Sequence, residues 1–125
     1  MSEIRADTIS DAAGTGPIAL TKQSAAKAWA NWNGTGTMAI RDSYNVSGVT
    51  DQGTGNATIS LSSAMSSSTN YALLAMSGNG GTNPGDASSS SNPYTSSSGW
   101  HETVDWSGGN VDRGYCILVF HGDLA

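Results

Sequence analysis

The sequence predicts an all-β domain of antiparallel strands, and two observations support this fold class. Serine fills 20 of the 125 positions and glycine 16, whereas charged residues make up only 12% of the chain, so long helix-forming side chains are scarce. Clusters of Gly, Asn, Asp and Ser also separate short segments in which apolar and polar residues alternate. We therefore expect about 6–8 strands, joined by tight turns, in an antiparallel β-sandwich-like fold.

This alternation also places the individual strands. In chain order they are predicted at residues 3–10, at 26–31, around Met38 and Ile40, and at 43–50, 56–62, 70–77, 99–106 and 111–120. Within 43–50, Tyr44 and Val46 share one face of the strand. The clearest half-buried strand is 56–62, where every second residue is apolar. Turn residues occupy 32–36, 51–55 and 107–110.

Two of these strands, 70–77 and 111–120, are apolar on both faces, as is typical of strands covered on both sides. The remaining strands are too few to cover them, so we expect neighbouring chains to supply the missing layer in a symmetric homo-oligomer, with a trimer favoured. Residues 1–17 hold too few apolar side chains to fold alone and are predicted to form an extended arm that either attaches the protein to other proteins or swaps onto a neighbouring subunit. Residues 18–125 then form the domain, with a long irregular Ser/Gly-rich loop at 78–99.

Charge and hydropathy exclude several classes of partner. A formal net charge of −5 is the wrong sign for binding to phosphate backbones, which argues against nucleic acid. The longest apolar runs, 71–76 and 115–120, are six residues each, whereas a membrane span needs about 20, so we expect no membrane insertion. Cys116 is the only cysteine, and its apolar surroundings predict a small buried side chain.

No residue pattern indicates catalysis or a cofactor. The three Gly-Thr-Gly segments, at 14–16, 34–36 and 53–55, lack the strand and helix that flank phosphate-binding loops, and we predict turns there. Histidines and acids that are candidates for an ion site or an acid/base pair lack metal-ligand spacing, and a structural role is favoured for His101, Glu102, Asp105, Asp112, His121 and Asp123. We therefore predict a chain that is not an enzyme and binds neither metal nor cofactor.

The aromatic residues are the strongest candidates for a functional role. Beside the Ser/Gly-rich loop we expect surface recognition by Asn92, Tyr94, Trp100 and Trp106, because Ser-, Asn- and Gly-rich loops with aromatic neighbours are typical of adaptable binding surfaces. The alternative is that Trp100 and Trp106 pack inward. Core or subunit-interface positions are predicted for Trp29, Trp32, Tyr44, Tyr71, Tyr115 and Phe120.

A series of short motifs runs through residues 26–77. They are Ala26-Lys27-Ala28-Trp29, Asn33-Gly34-Thr35-Gly36, Ala39-Ile40-Arg41-Asp42-Ser43-Tyr44-Asn45-Val46-Ser47, Thr50-Asp51 and Asn70-Tyr71. This series resembles a family of tail-fibre and related virion structural proteins from tailed bacteriophages, chiefly marine ones. The two ends of the chain, SEIRADTISDAAGTGP and Phe120-His121-Gly122-Asp123, are similar to the ends of that family, whereas residues 78–99 match nothing in it.

The resemblance implies a virion component with a β-sandwich-like body that self-associates as a trimer and carries no catalytic residues. A tail-fibre or tail-tip protein that contributes to recognition of a host-surface glycan or protein is the favoured function. In that setting the arm at 1–17 contacts other virion proteins. A capsid decoration or head-fibre protein is the alternative, and a carbohydrate-active enzyme is a weaker third.

Overall fold

The computed structural model describes residues 26–78 and 95–125, together with the backbone of residues 84–88. The strands are β1 (Ala28–Asn33), β2 (Ala39–Tyr44), β3 (Val46–Asp51), β4 (Asn56–Leu61), β5 (Ala72–Gly78), β6 (Pro84–Ser88), β7 (Ser98–Val104) and β8 (Tyr115–His121). These described residues contain no helix, so the all-β prediction is confirmed. The strand predicted at 3–10 and the arm predicted at 1–17 lie outside them.

The strands form two antiparallel sheets that share β6. Sheet 1 has the order β2-β1-β8-β5-β6, and sheet 2 continues from β6 as β7-β4-β3. Alternate residues of each strand point into the space between the sheets, so β4 and β7 each show a strict buried and half-buried alternation. The core consists of Ala28, Ala30, Trp32, Ala57, Ile59, Leu61, Met65, Cys116, Leu118 and Phe120. The β-sandwich-like fold is thereby confirmed, as is the burial of Cys116.

A glycine in sheet 2 lets the two sheets approach each other closely. Gly99 of β7 faces Phe120 of β8, and a Cβ atom at Gly99 would lie only 2.5 Å from Cζ of that ring. The Phe120 ring also packs on Tyr71, with 5.7 Å between the ring centroids. Glycine at position 99 thus makes room for Phe120, the largest inward-facing side chain of β8.

The prediction of one strand at 43–50 is wrong, because the chain changes sheets at Asn45. This residue has a φ of 53°, in the left-handed region that asparagine tolerates better than most residues. Its side-chain amide donates to the carbonyl oxygens of Lys27 and Ser63, each at 3.1 Å, and its Oδ1 accepts from the Ser63 amide at 2.7 Å. Tyr44 therefore ends a strand of sheet 1, and Val46 begins one of sheet 2.

Three further boundaries differ from the predictions. The segment 78–99 is not one irregular loop, because it contains β6 and the start of β7, which pair through Asp86↔Val104, Ala87↔Thr103 and Ser88↔Glu102. These strands pair through backbone hydrogen bonds, which form without an alternating pattern of apolar side chains, so the sequence pattern did not indicate β6. β1 continues through Trp32 and Asn33, and the last strand begins at Tyr115 because the Val111 amide bonds instead to the carbonyl oxygen of Thr103. The turns predicted at 34–36 and 53–55 are confirmed, with positive φ at Gly36, Gly53 and Gly55.

Candidate functional site

Trp106 is the most exposed large apolar side chain of the described residues. It lies two residues after the end of β7, in the connection to β8, and 91% of its surface is open to solvent. An indole exposed to this extent loses the free energy that burial would provide, about 2 kcal/mol or more for a side chain of this size. A single exposed apolar residue is common on protein surfaces, so Trp106 is a candidate contact residue because of the turn that presents it.

The turn that carries Trp106 is held in one conformation by Asp105. Oδ1 of Asp105 accepts hydrogen bonds from the Ser107 hydroxyl at 2.6 Å, the Ser107 amide at 2.8 Å and the Gly109 amide at 3.0 Å. The Asp105 amide also donates to the Gly109 carbonyl oxygen, and the Gly108 amide to the Asp105 carbonyl oxygen. The bond from the Ser107 side chain, followed by the backbone bonds from Gly109 and Ser107, holds the pKa of Asp105 below its ordinary value of 3.8. Trp106 therefore projects from a pre-organised loop.

Replacing Asp105 by alanine should loosen this turn without unfolding the domain. The Ser107 and Gly109 amides lose a charged acceptor at the surface, so we expect their hydrogen exchange to become about tenfold faster. Asp105→Asn keeps an oxygen at the same position and should restore most of the protection. Amide exchange followed by NMR measures both effects, and unchanged exchange in Asp105→Ala would show that the turn is held by other contacts.

The other aromatic candidates for recognition do not join Trp106. Trp100 lies half-buried in β7, in register with Thr58 of β4, on the outer face of sheet 2. Asn92 and Tyr94 lie outside the described residues. The outer face around Trp100 is otherwise polar, because β4 presents Asn56, Thr58 and Ser60 there.

The residues predicted for the core or an interface divide into two groups. Trp32 and Phe120 are fully buried, and Tyr71 packs on the core while its hydroxyl donates to the Thr95 carbonyl oxygen at 3.0 Å. The other three lie on the outer face of sheet 1, where Trp29 is half-buried and Tyr44 and Tyr115 are exposed. The guanidinium carbon of Arg41 sits 4.4 Å from the ring centroid of Tyr115, a cation–π contact.

An apolar row crosses the outer face of sheet 1. Pairing between strands sets four residues side by side, in the order Tyr44, Trp29, Val119 and Leu74. Ile117 and Met76 form a second pair beside this row, and Met76 is 66% exposed. The sequence showed that 70–77 and 111–120 are apolar on both faces, but it did not show that their outer residues align with Trp29 and Tyr44. That alignment depends on the order of the strands.

His101 lies inside the sandwich and is only 1% exposed. Its ring packs edge-on against Trp32, with 4.8 Å between centroids, and Nε2 lies 3.3 Å from the carbonyl oxygen of Met76. Desolvation by burial lowers the pKa of His101 from 6.5 to about 4, a shift that the bond to Met76 partly opposes. His101 is therefore a neutral core residue at pH 7.

The predicted cluster of histidines and acids is not brought together. His101 points into the core, whereas its neighbour Glu102 lies on the outer face of β7, and His121 follows Phe120 on the outer side of β8. Oδ1 of Asp112 accepts from the Gly55 amide at 2.7 Å, so this acid orders a turn. Within residues 26–78 and 95–125, no group of three His, Cys, Asp or Glu side chains is placed to hold a metal ion.

A cavity of about 10 Å³ adjoins His101, which is the room that roughly one water molecule needs. It is lined in part by Trp32, Thr103, Arg113 and Cys116, and it is far too small for a sugar or a nucleotide. Burial also raises the pKa of the Cys116 thiol, so the thiol does not form a reactive thiolate here. Among the described residues, the candidate functional surfaces are therefore the Trp106 turn and the outer face of sheet 1.

Comparison with known proteins gave no matching family model, no matching curated protein and no matching solved structure. Within the residues that the structure describes, no helix is long and apolar enough to cross a membrane.

Proposed function

We propose that this chain is a structural component of a phage virion, located at the tail fibre or tail tip, that contributes to recognition of the host surface. The single observation that carries the recognition role is Trp106, almost fully exposed on a turn that Asp105 holds rigid. The assignment to a virion rests on the resemblance of residues 26–77 to tail-fibre and related virion proteins, and the β-sandwich-like fold is compatible with it.

The surroundings of Trp106 favour contact with a polar, uncharged surface. The turn continues through Ser107, two glycines and Asn110; the hydroxyl and amide donors of Ser107 and the Gly109 amide are bonded to Asp105, so the exposed side-chain amide of Asn110 and the oxygen of the Ser107 hydroxyl are the groups offered to a partner. The indole adds a flat apolar surface at small entropic cost, because the turn beneath it is already ordered. This combination of a rigid aromatic residue with adaptable polar neighbours is typical of a binding loop.

Replacing Trp106 by alanine should leave particle assembly intact and slow the adsorption of particles to host cells by about tenfold or more, the usual effect of truncating an interface hot spot. Trp106→Tyr keeps an aromatic ring and should retain most of the adsorption rate. Trp100→Ala tests the second predicted tryptophan in the same assay, and because its side chain is half-buried we expect a smaller effect. Normal adsorption by fully assembled Trp106→Ala particles would remove the recognition role.

The position of the chain in the particle distinguishes the two locations that the sequence leaves open. Gold-labelled antibody against this chain should mark the tail in electron micrographs. Labelling over the head would instead favour a capsid decoration or head-fibre protein, and the absence of label on intact and disrupted particles would contradict a virion role.

A further inference from the structure

We infer that the outer face of sheet 1 is an interface at which this chain binds a second copy of itself. The inference goes beyond recognition through Trp106, because it concerns a different surface and holds whatever the Trp106 turn contacts. We call this surface the assembly face, and define it as the apolar outward side chains of β1, β2, β5 and β8, namely Trp29, Tyr44, Ala72, Leu74, Met76, Tyr115, Ile117 and Val119.

Register makes the assembly face continuous. Tyr44 pairs with Trp29, Trp29 with Val119, and Val119 with Leu74, so four apolar side chains from four strands lie in one line. Met76 lies beside this line, in register with Ile117. On β5 and β8 an outward side chain therefore has apolar neighbours along its own strand and across to the next one, whereas the outward residues next to Trp29 and Tyr44 along their strands are Asn31 and Asp42.

The other sheet supplies an internal comparison. The outer face of sheet 2 carries Asn56, Thr58 and Ser60 on β4, and β7 adds Ser98 and Glu102 beside Trp100. The outer face of sheet 2 is thus mainly polar, with Trp100 and Val104 as the apolar residues of β7, whereas the outer faces of β5 and β8 in sheet 1 are mainly apolar. A serine-rich composition does not explain this difference, whereas contact of sheet 1 with a partner does.

The area of the assembly face is sufficient for a specific contact. Tyr44 is 57% exposed, Leu74 53%, Met76 66% and Tyr115 48%. Side chains of this size expose on the order of 100 Å² each at these fractions, so with its half-buried neighbours the face approaches about 500 Å² of apolar surface. A standard interface buries about 800 Å² of each partner, so the apolar centre would provide more than half of that area and the surrounding polar residues the remainder.

The charges on the assembly face favour a second copy over a charged partner. The chain has a net charge of −5, yet this face carries one basic and one acidic residue, Arg41, stacked on Tyr115, and Asp42, in register with Asn31, together with His121 at its border, in register with Ala72. Arg41 and Asp42 both belong to the edge strand β2, and they are opposite in sign. Two copies can therefore meet through the apolar centre without burying a charge, and Arg41 of one copy can approach Asp42 of the other at the border.

The test compares two pairs of lysine substitutions by analytical ultracentrifugation over a micromolar range of protein concentration. Leu74→Lys with Met76→Lys puts two charges on the assembly face, whereas Thr58→Lys with Ser60→Lys puts the same charge on the outer face of sheet 2, also on an interior strand. We expect the wild type and the control pair to sediment as the same oligomer, and the Leu74/Met76 pair to weaken association by about 100-fold or more, because two charges would be buried without partners. Circular dichroism and unfolding midpoints check that each variant folds.

An uncharged pair, Leu74→Thr with Met76→Thr, keeps good strand propensity and should weaken association by about tenfold. A monomeric wild type would overturn the inference, and so would an oligomer that the Leu74/Met76 lysine pair leaves intact. If the wild type is monomeric and deletion of residues 1–25 makes it associate, the face is covered by that segment of the same chain, which also overturns the inference. None of these outcomes changes the adsorption result expected for Trp106→Ala.

Discussion

Replacing Phe120 by alanine should lower the free energy of unfolding by about 3–5 kcal/mol, a large part of the stability of a domain of this size. Phe120 is fully buried on β8, a strand that pairs with both β1 and β5. The space it leaves cannot close easily, because backbone hydrogen bonds fix the strands on either side. Chemical denaturation followed by tryptophan fluorescence measures the loss.

The contact between Phe120 and Gly99 allows a sharper test. In the wild type, Gly99→Ala forces a methyl group against the Phe120 ring and should cost about 1–3 kcal/mol. In a Phe120→Leu background the obstructing ring atoms are absent, so the same substitution should cost clearly less. Equal costs in the two backgrounds would show that the close approach of Gly99 and Phe120 does not limit the packing of the core.

Acidification should destabilise the domain through His101 by about 3 kcal/mol, since burial depresses the pKa of this side chain from 6.5 in the unfolded chain to about 4 in the folded one. The folded state favours the neutral ring. The stabilisation is therefore fully present above pH 6.5, and it decreases as the pH falls from 6.5 to about 4, where the folded protein also takes up the proton.

Denaturation curves at several pH values between 7 and 4 measure this loss. His101→Phe keeps an aromatic ring against Trp32 but has no proton to bind, so its stability should depend much less on pH across that window. His121→Gln removes the other histidine of the chain and should keep the steep dependence of the wild type. A wild-type stability that stays constant between pH 6.5 and 4 would contradict the buried position of His101.

The sequence predicted the strand bounds best where buried and solvent-facing side chains alternate. The alternation at 56–62 predicted β4 to within one residue, because one face of that strand lies in the core and the other faces solvent. It failed at Asn45, where Tyr44 and Val46 continue the alternating pattern while the backbone turns between two sheets. It also failed at β6, whose pairing with β5 and β7 rests on backbone hydrogen bonds among small and polar residues.

The candidate surfaces were predictable to different extents. The sequence left open whether Trp106 packs inward or is exposed, because a tryptophan is compatible with both positions. The apolar outer faces of β5 and β8 were visible as six-residue apolar runs. Their alignment with Trp29 and Tyr44 was not, since it depends on which strands become neighbours.

The position of β8 between β1 and β5 also sets the order in which the domain can fold. Residues 28–32 pair with residues 116–120, so the middle of sheet 1 waits until residue 120 has left the ribosome. Before that point, β1 and β5 expose edges with no strand between them, and closing so long a loop slows folding. A nascent chain of this protein can therefore pair with another nascent chain made from the same mRNA. The strands open to this pairing, β1 and β5, are two of those that carry the assembly face.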